Sequence, residues 1–457
     1  MNDITAFSAF LKYCLGYKGN MSKIVAGMNW HELYSFASKQ ALLGLCFEGI
    51  ERLGKEYPEE LKQNPIGREL LMTWMGKAQQ IRRQNMKVNA VAGKLFSMLR
   101  EDGMRCCVLK GQGNALMYPN PYSRTPGDID VWVNASRERI MEYASKKFEL
   151  GDDIRLQHLE TSLDGVPVEL HFFPCSMNNP IYHARLQKWF RRNADLQCSN
   201  LVGLPDGAGD IAIPTTAFNV VYQLTHLYHH FFDEGIGMRQ IIDYFLVVND
   251  FSKNVFLNTD FSNHPVPLSK EGSTFSPSPS SSGSGDVTAP SRCSEPLRSK
   301  DGGPSKVSPD CAGWDRRGVS GDIASDASGS SSFTTNSSVS TALDVVQREL
   351  KYLGLWKFAG AVMYVLHEAL GLSEEKMIAP MDEKRGRLLL AEILDGGNFG
   401  RHFTKYAGFT HQSMGKKYFL KIWRNMHFVR YYPAEALCEP LFRTWHFFWR
   451  LKNKIIK

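Results

Sequence analysis

The sequence predicts an α/β chain of the α+β kind, a small mixed sheet embedded between helical segments. Three observations carry that prediction. Gly127-Asp128-Ile129-Asp130-Val131-Trp132-Val133 alternates in polarity with the period of a strand, as far as Trp132. Asp164-Gly165 separates two apolar-patterned runs, which is a strong signal for a tight hairpin. On both sides of this region, apolar residues recur at helical spacing.

Residues 1–103 read as a helical segment. Leu71, Trp74, Met75, Ala78, Ile81, Val88, Leu95 and Leu99 lie close to one helical face, and Asp102-Gly103 marks its stop. Residues 104–200 form the mixed core. Cys106-Cys107-Val108-Leu109 reads as a short strand or buried turn, followed by Lys110-Gly111-Gln112-Gly113-Asn114. Those glycines let a backbone approach a phosphate, and a helix starting there offers N–H groups to an anion; a plain flexible helix entry explains them as well. In the 127–133 strand, Ile129, Val131 and Val133 point to a core while Asp128 and Asp130 share the other face. Ser136 suits an N-cap for a helix bearing Ile140, Met141, Ala144 and Phe148. In the hairpin, Val166, Val168, Leu170 and Phe172 share one face, and Glu169 and His171 the other.

Residues 201–251 read as helical, with Phe218, Val221, Leu224, Tyr228 and Phe231 on one stripe and a second helix from Arg239 to Asn249. Residues 252–341 are dominated by Ser, Gly, Pro and Thr, a composition too poor in apolar groups to offset its ordering entropy. They read as a disordered insertion in a loop of one domain. Residues 342–457 are helical again, marked by Leu350, Leu353, Phe358, Val362 and Leu366, with a tight loop at Gly396-Gly397-Asn398-Phe399-Gly400.

At 457 residues and 43% hydrophobic content, the chain can build a sizeable core. Its start lacks the basic and apolar pattern of a signal peptide, and no apolar run reaches the roughly 18 residues of a membrane span. Nine scattered cysteines without a C-x-x-C motif fit reduced thiols, so a cytoplasmic location is expected. The net charge of +7 is uneven. From Arg401 to Lys457 there are twelve lysines and arginines against two glutamates. That segment interleaves its bases with aromatics such as Tyr418, Phe419, Trp423, Trp445, Phe447, Phe448 and Trp449. A helical subdomain with solvated bases is the plainest reading, contact with an anionic membrane surface the next, and nucleic-acid binding a third.

Paired aspartates projecting together repel each other unless a cation or solvent relieves them, and Mg²⁺ prefers such oxygen ligands. Glu169, on a strand able to lie beside that of Asp128 and Asp130, adds a third carboxylate; an ordinary solvated strand residue is its alternative. His171 shares the face of Glu169 and is read equally as a cleft residue or as a surface aromatic. Arg124 has the fork geometry that suits phosphate oxygens, against the alternative of a bridge to Asp128 or Asp130. Arg239 and Asp243, four apart, fit an intrahelical ion pair first and a cleft role second. His226 and His230 have zinc-like i,i+4 spacing but lack the intervening Glu of H-E-x-x-H, and a polar cleft lining or satisfied surface histidines are preferred.

Taken in order, Leu109-Lys110-Gly111, Tyr118-Pro119, Arg124, Gly127-Asp128-Ile129-Asp130 and Glu169-Leu170-His171 resemble the polymerase-β-like nucleotidyltransferase superfamily. They look closest to a bacterial branch of uncharacterised nucleotidyltransferases, which Gly237-Met238-Arg239, Asp243 and the 396–400 loop also resemble. Gly111-Gln112-Gly113 departs from the usual Gly-Ser or Gly-Gly. The resemblance implies transfer of a nucleoside monophosphate from a nucleoside triphosphate, with pyrophosphate released. It implies Asp128, Asp130 and Glu169 as catalytic ligands of Mg²⁺ or Mn²⁺. It further implies Lys110, Gly111, Gln112, Gly113 and Arg124 at the nucleotide, with His171 and Arg239 as further cleft residues. The acceptor is left open among a sugar, a lipid-linked glycan, a protein and RNA. The alternatives are a non-catalytic nucleotide-binding or scaffold protein on the same fold, and an RNA- or protein-modifying transferase of the toxin–antitoxin type.

Overall fold

The computed structural model describes the backbone of residues 3–257, 333–403 and 414–452. Most of the Ser-rich segment, 258–332, lies outside the described residues, as do 404–413, Lys454 and the side chains of Lys416, Lys417 and Tyr418. The chain on either side of the Ser-rich segment packs into one compact unit.

The mixed sheet contains β1 (Cys106–Leu109), β2 (Ile129–Val133), β3 (Leu150–Ile154), β4 (His158–Leu163) and β5 (Val166–His171), in the order β1-β2-β5-β4-β3. β1 and β2 are antiparallel, β4 and β5 form the expected hairpin, and β2 and β5 are parallel neighbours. Asp164 (φ +50°) and Gly165 (φ +70°) supply the two left-handed residues that a tight hairpin turn demands. The helix Arg137–Lys147, capped by the Ser136 side chain, begins the crossover from β2 to β5.

The sheet separates two cores. One face carries Val108, Ile129, Val131, Val133, Val168 and Leu170, packed under Val88, Val91, Ala92, Leu95 and Leu99 of the long helix Arg68–Glu101. The other face carries Cys107, Leu109 and Trp132 toward the helices Thr216–Asp233 and Met238–Leu257. Trp132 stacks on Phe218 there, with ring centroids 6.1 Å apart. Because both faces are covered, β2 is buried along its length, and its polar Asp130 must find partners inside the protein.

Two elements differ from the sequence reading. Residues 201–251 open with a short antiparallel ladder, β6 (Leu201–Gly203) and β7 (Asp210–Ala212), before the helices begin. Three-residue strands are too short to show periodicity. The helices Met238–Leu257 and Phe333–Tyr352 also run into both ends of the 252–341 segment.

The 396–400 loop is bound to the start of the helix Met238–Leu257. A Cβ on Gly237 would sit 2.7 Å from the Asn398 Cα, so only glycine allows this approach. Gly237→Ala should therefore cost about 3 kcal/mol of stability, read as a lowered melting temperature. An unchanged melting temperature would mean that the two loops separate at little cost.

Candidate active site

The parallel register of β2 and β5 sets Asp130 directly opposite Glu169. Asp128 stands just before β2 at an exposed edge, and ligand oxygens of the three carboxylates lie within 4.8 Å of one another. The expectation of a third carboxylate beside the aspartate pair is thus met in space.

The two aspartates are held differently. Asp130 is buried, with Lys110 Nζ 3.1 Å from its Oδ2 and His171 Nε2 3.0 Å from its Oδ1. Burial would raise its pKa, but Lys110 and His171 hold it well below the usual carboxylate range. Asp128 meets chiefly the negative charge of Asp130 and is pushed up to about 6. His171 also reaches Glu169 Oε2 at 3.1 Å. Burial alone would lower its pKa, yet the two carboxylates lift it to about 9. It is therefore a buried imidazolium bridging two anions rather than a surface aromatic.

Lys110 enters the cleft because its backbone is left-handed (φ +51°), a conformation costing about 1–3 kcal/mol in a residue with a Cβ. Its ammonium also donates to His226 Nε2 at 2.7 Å. Burial drives the pKa of His226 far down, so the ring is neutral and free to accept. His230 Nε2 lies 3.1 Å from the same nitrogen. His226 and His230 both line the larger part of the cleft.

Gly111 (φ +44°) and Asn114 line the cleft beside Lys110. Gln112 and Gly113, expected at the nucleotide, do not. The short helix Gly111–Ala115 turns the Gln112 amide back to Asn89, and a Cβ on Gly113 would meet Ile213 at 3.0 Å. The Gly113 N–H is spent on the Lys110 carbonyl.

Arg124 lines the narrower part of the cleft and is also tied to a buried acid. Its Nε and Nη2 donate to the two oxygens of Asp243 at 2.9 and 2.8 Å, and Tyr118 Oη donates to Asp243 Oδ1 at 2.8 Å. All three side chains are buried. Arg124 is thus the core of a structural ion pair whose partner is neither Asp128 nor Asp130. Asp243 being occupied, Arg239 makes no intrahelical pair. Its Nη1 donates to the Thr125 carbonyl at 2.9 Å, while its Nε has no hydrogen-bond partner. Only 7% of Arg239 is exposed. Burial and the nearby Arg124 both lower its pKa, the mark of a cation short of counter-charge. Phe399, itself strained at φ +54°, lies 5.5 Å from this guanidinium.

The carboxylates sit where two cavities meet. A narrow one of about 60 Å³ is lined by Gly111, Arg124, Arg239, Gln240, Asp243 and Phe399 together with Asp128 and Asp130. A larger one of about 890 Å³ shares Lys110, Asp128, Asp130, His226 and Phe399 and adds Glu169, His158 and His171. His158 is buried with neither ring nitrogen hydrogen-bonded, and burial lowers its pKa to about 4. Together with Glu169 and His171 it forms a second set of side chains able to hold a metal. Sequence patterning gave no hint of His158, Gln240 or Tyr118 as members of the site, although Tyr118-Pro119 and the 396–400 loop stood out as motifs.

Three clustered carboxylates offer hard oxygen ligands, and the pKa of Asp128 shows that their mutual repulsion is only partly relieved. The donor set therefore fits a divalent cation such as Mg²⁺ or Mn²⁺. No helix among the described residues is long and apolar enough to cross a membrane. No curated protein and no solved structure matches the chain. The sequence profile of a family described as uncharacterised nucleotidyltransferase matches residues 26–260, just over half the chain, and covers the sheet, the three carboxylates, Arg124, Arg239 and Asp243. The chain belongs to that family of uncharacterised nucleotidyltransferases.

Proposed function

We propose that the protein transfers a nucleoside monophosphate from a nucleoside triphosphate to an acceptor hydroxyl, using Asp128, Asp130 and Glu169 as ligands of Mg²⁺ or Mn²⁺. The observation that supports this most directly is the register of β2 and β5, which brings Asp130 and Glu169 side by side at a cleft that also holds a buried arginine whose Nε has no hydrogen-bond partner.

Arg239 holds the phosphate chain from the narrow cavity, where its Nε has no hydrogen-bond partner and its Nη1 bonds only a backbone carbonyl. The larger cavity has the volume for the rest of the nucleotide and for an acceptor. Glu169 lines only the larger cavity, so it is the carboxylate nearest an incoming hydroxyl and takes its proton. The acceptor oxygen bonds to the α-phosphorus while the bond to the bridging α–β oxygen breaks and pyrophosphate leaves. A divalent cation at the three carboxylates would neutralise phosphate charge and polarise the reacting phosphoryl group. Lys110 and His171 keep Asp130 ionised and oriented.

A second reading rests on Asp130 itself, both of whose oxygens already hold cationic partners. A protein that binds nucleotide without turnover would need no metal there.

Calorimetric titration with each of the four ribonucleoside triphosphates, with and without Mg²⁺, tests the proposal against the Asp128→Asn/Asp130→Asn variant. Mg²⁺-dependent binding of a triphosphate that vanishes in the variant is the expected result. The affinity should weaken below about pH 6, because a proton on Asp128 then competes with the cation. Mg²⁺-independent binding that survives in the variant would replace transfer with the non-catalytic reading.

A further inference from the structure

The helix Glu439–Lys452 is amphipathic with its polarity reversed. Glu439, Arg443, His446 and Arg450 recur at helical spacing and face the larger cavity. There Arg443 Nη2 lies 3.0 Å from Asp233 Oδ1, and Lys421 of the helix Met414–Phe428 reaches the same oxygen at 2.8 Å. Leu441, Trp445 and Phe448 recur at the same spacing on the opposite side and face outward, flanked by Phe447 and Leu451. Leu441 is 72% exposed and Phe448 62%. The helix Met414–Phe428 repeats the pattern with Phe419, Trp423 and Met426 exposed at positions i, i+4 and i+7. The two helices touch. A water-facing surface does not gather large apolar side chains in this way, whereas an interaction surface does.

We propose that this outer face docks on an anionic lipid surface. Three features select lipid over other occupants. Of the twelve lysines and arginines from Arg401 onward, Arg401, Lys421, Arg443 and Arg450 line the larger cavity and Arg424 is buried, which leaves seven, exposed Arg430 and Lys452 among them, to complement anionic headgroups, while both glutamates are buried. Trp423 and Trp445 are the side chain favoured at the boundary between headgroups and acyl chains. The Glu439–Lys452 helix has only 14 residues, too short to span a bilayer and suited to lying in its plane, with exposed Lys452 and the following Lys454 and Lys457 of the sequence at its end. One helix thickness, about 10 Å, then separates the lipid from the polar cavity behind it. The proposal stands on the exposed face alone and not on nucleotidyl transfer.

The test is co-sedimentation of the full chain with vesicles of equimolar phosphatidylglycerol and phosphatidylcholine, and with vesicles of phosphatidylcholine alone. Leu441→Glu/Phe448→Glu serves as the variant, because both side chains lie on the surface and their exchange leaves the core untouched. Wild type should sediment with the anionic vesicles, less so at high salt, and the variant should bind at least about tenfold more weakly with an unchanged melting temperature. Failure of wild type to bind anionic vesicles would overturn the proposal, and so would undiminished binding by the variant. A dimer in solution that the variant disrupts, without lipid binding, would instead give the face to a second copy of the chain.

Discussion

Asp128→Asn should stabilise the metal-free protein above about pH 6 while Asp130→Asn destabilises it, although both should lose Mg²⁺-dependent turnover by about a thousandfold. The two side chains point into one site but carry opposite pKa shifts. The folded pKa of Asp128 is raised to about 6, so the stability linked to its protonated form is complete only at low pH and is lost as the pH climbs through about 6. An amide removes that repulsion. Because Asp128 is exposed, the gain is discounted to about 1 kcal/mol. The folded pKa of Asp130 is depressed, so its contribution is present above its unfolded value and lost as the pH falls through the folded one. Its amide leaves Lys110 and His171 as buried cations with one fewer anion between them, at a cost of about 3 kcal/mol. Thermal melts of both variants across pH, beside pyrophosphate release, give the comparison. Shifts of the same sign in the two melts would contradict this electrostatic account.

Arg124→Ala and Arg239→Ala should divide stability from binding. The first strands Asp243 in the core without its guanidinium and removes two buried hydrogen bonds, a loss of about 3–5 kcal/mol. The second removes a cation that has one hydrogen bond to a backbone carbonyl and no carboxylate of its own. It should leave the melting temperature nearly unchanged and weaken triphosphate binding by about 2 kcal/mol, roughly thirtyfold. Calorimetric melting and titration on the same preparations separate the two effects. The reverse pattern, with Arg124 carrying affinity and Arg239 carrying stability, would return the phosphate to Arg124.

These two arginines mark where the sequence stops being legible. The hairpin at Asp164-Gly165 and the strand through Asp130 follow from turn chemistry and a period of two, which are properties of neighbouring residues, whereas the pairing of Asp130 with Glu169 joins strands distant in sequence. Arg124 meets Asp243 across 119 positions, and Lys110 meets His226 across 116. No local pattern encodes such a meeting. The direction of Gln112 is illegible for another reason. A one-turn helix can present either side of itself, and contact with Asn89 of the long helix decides which. His171 read as ambiguous because alternation assigns a face without saying whether that face is covered. Phe218 of the helix Thr216–Asp233, stacked on Trp132 of that same face, helps to cover it.

The parallel pairing of β2 with β5 also orders the assembly of the site in time. The β4–β5 hairpin closes through a two-residue turn and can form early from local contacts. β5 can dock on β2 only after the helix Arg137–Lys147 and the strands beyond it have been threaded back, a much longer closure. Glu169 therefore reaches Asp130 late on the folding route, and a cation shared between them would act as a clasp on the last step, slowing unfolding more than it speeds folding.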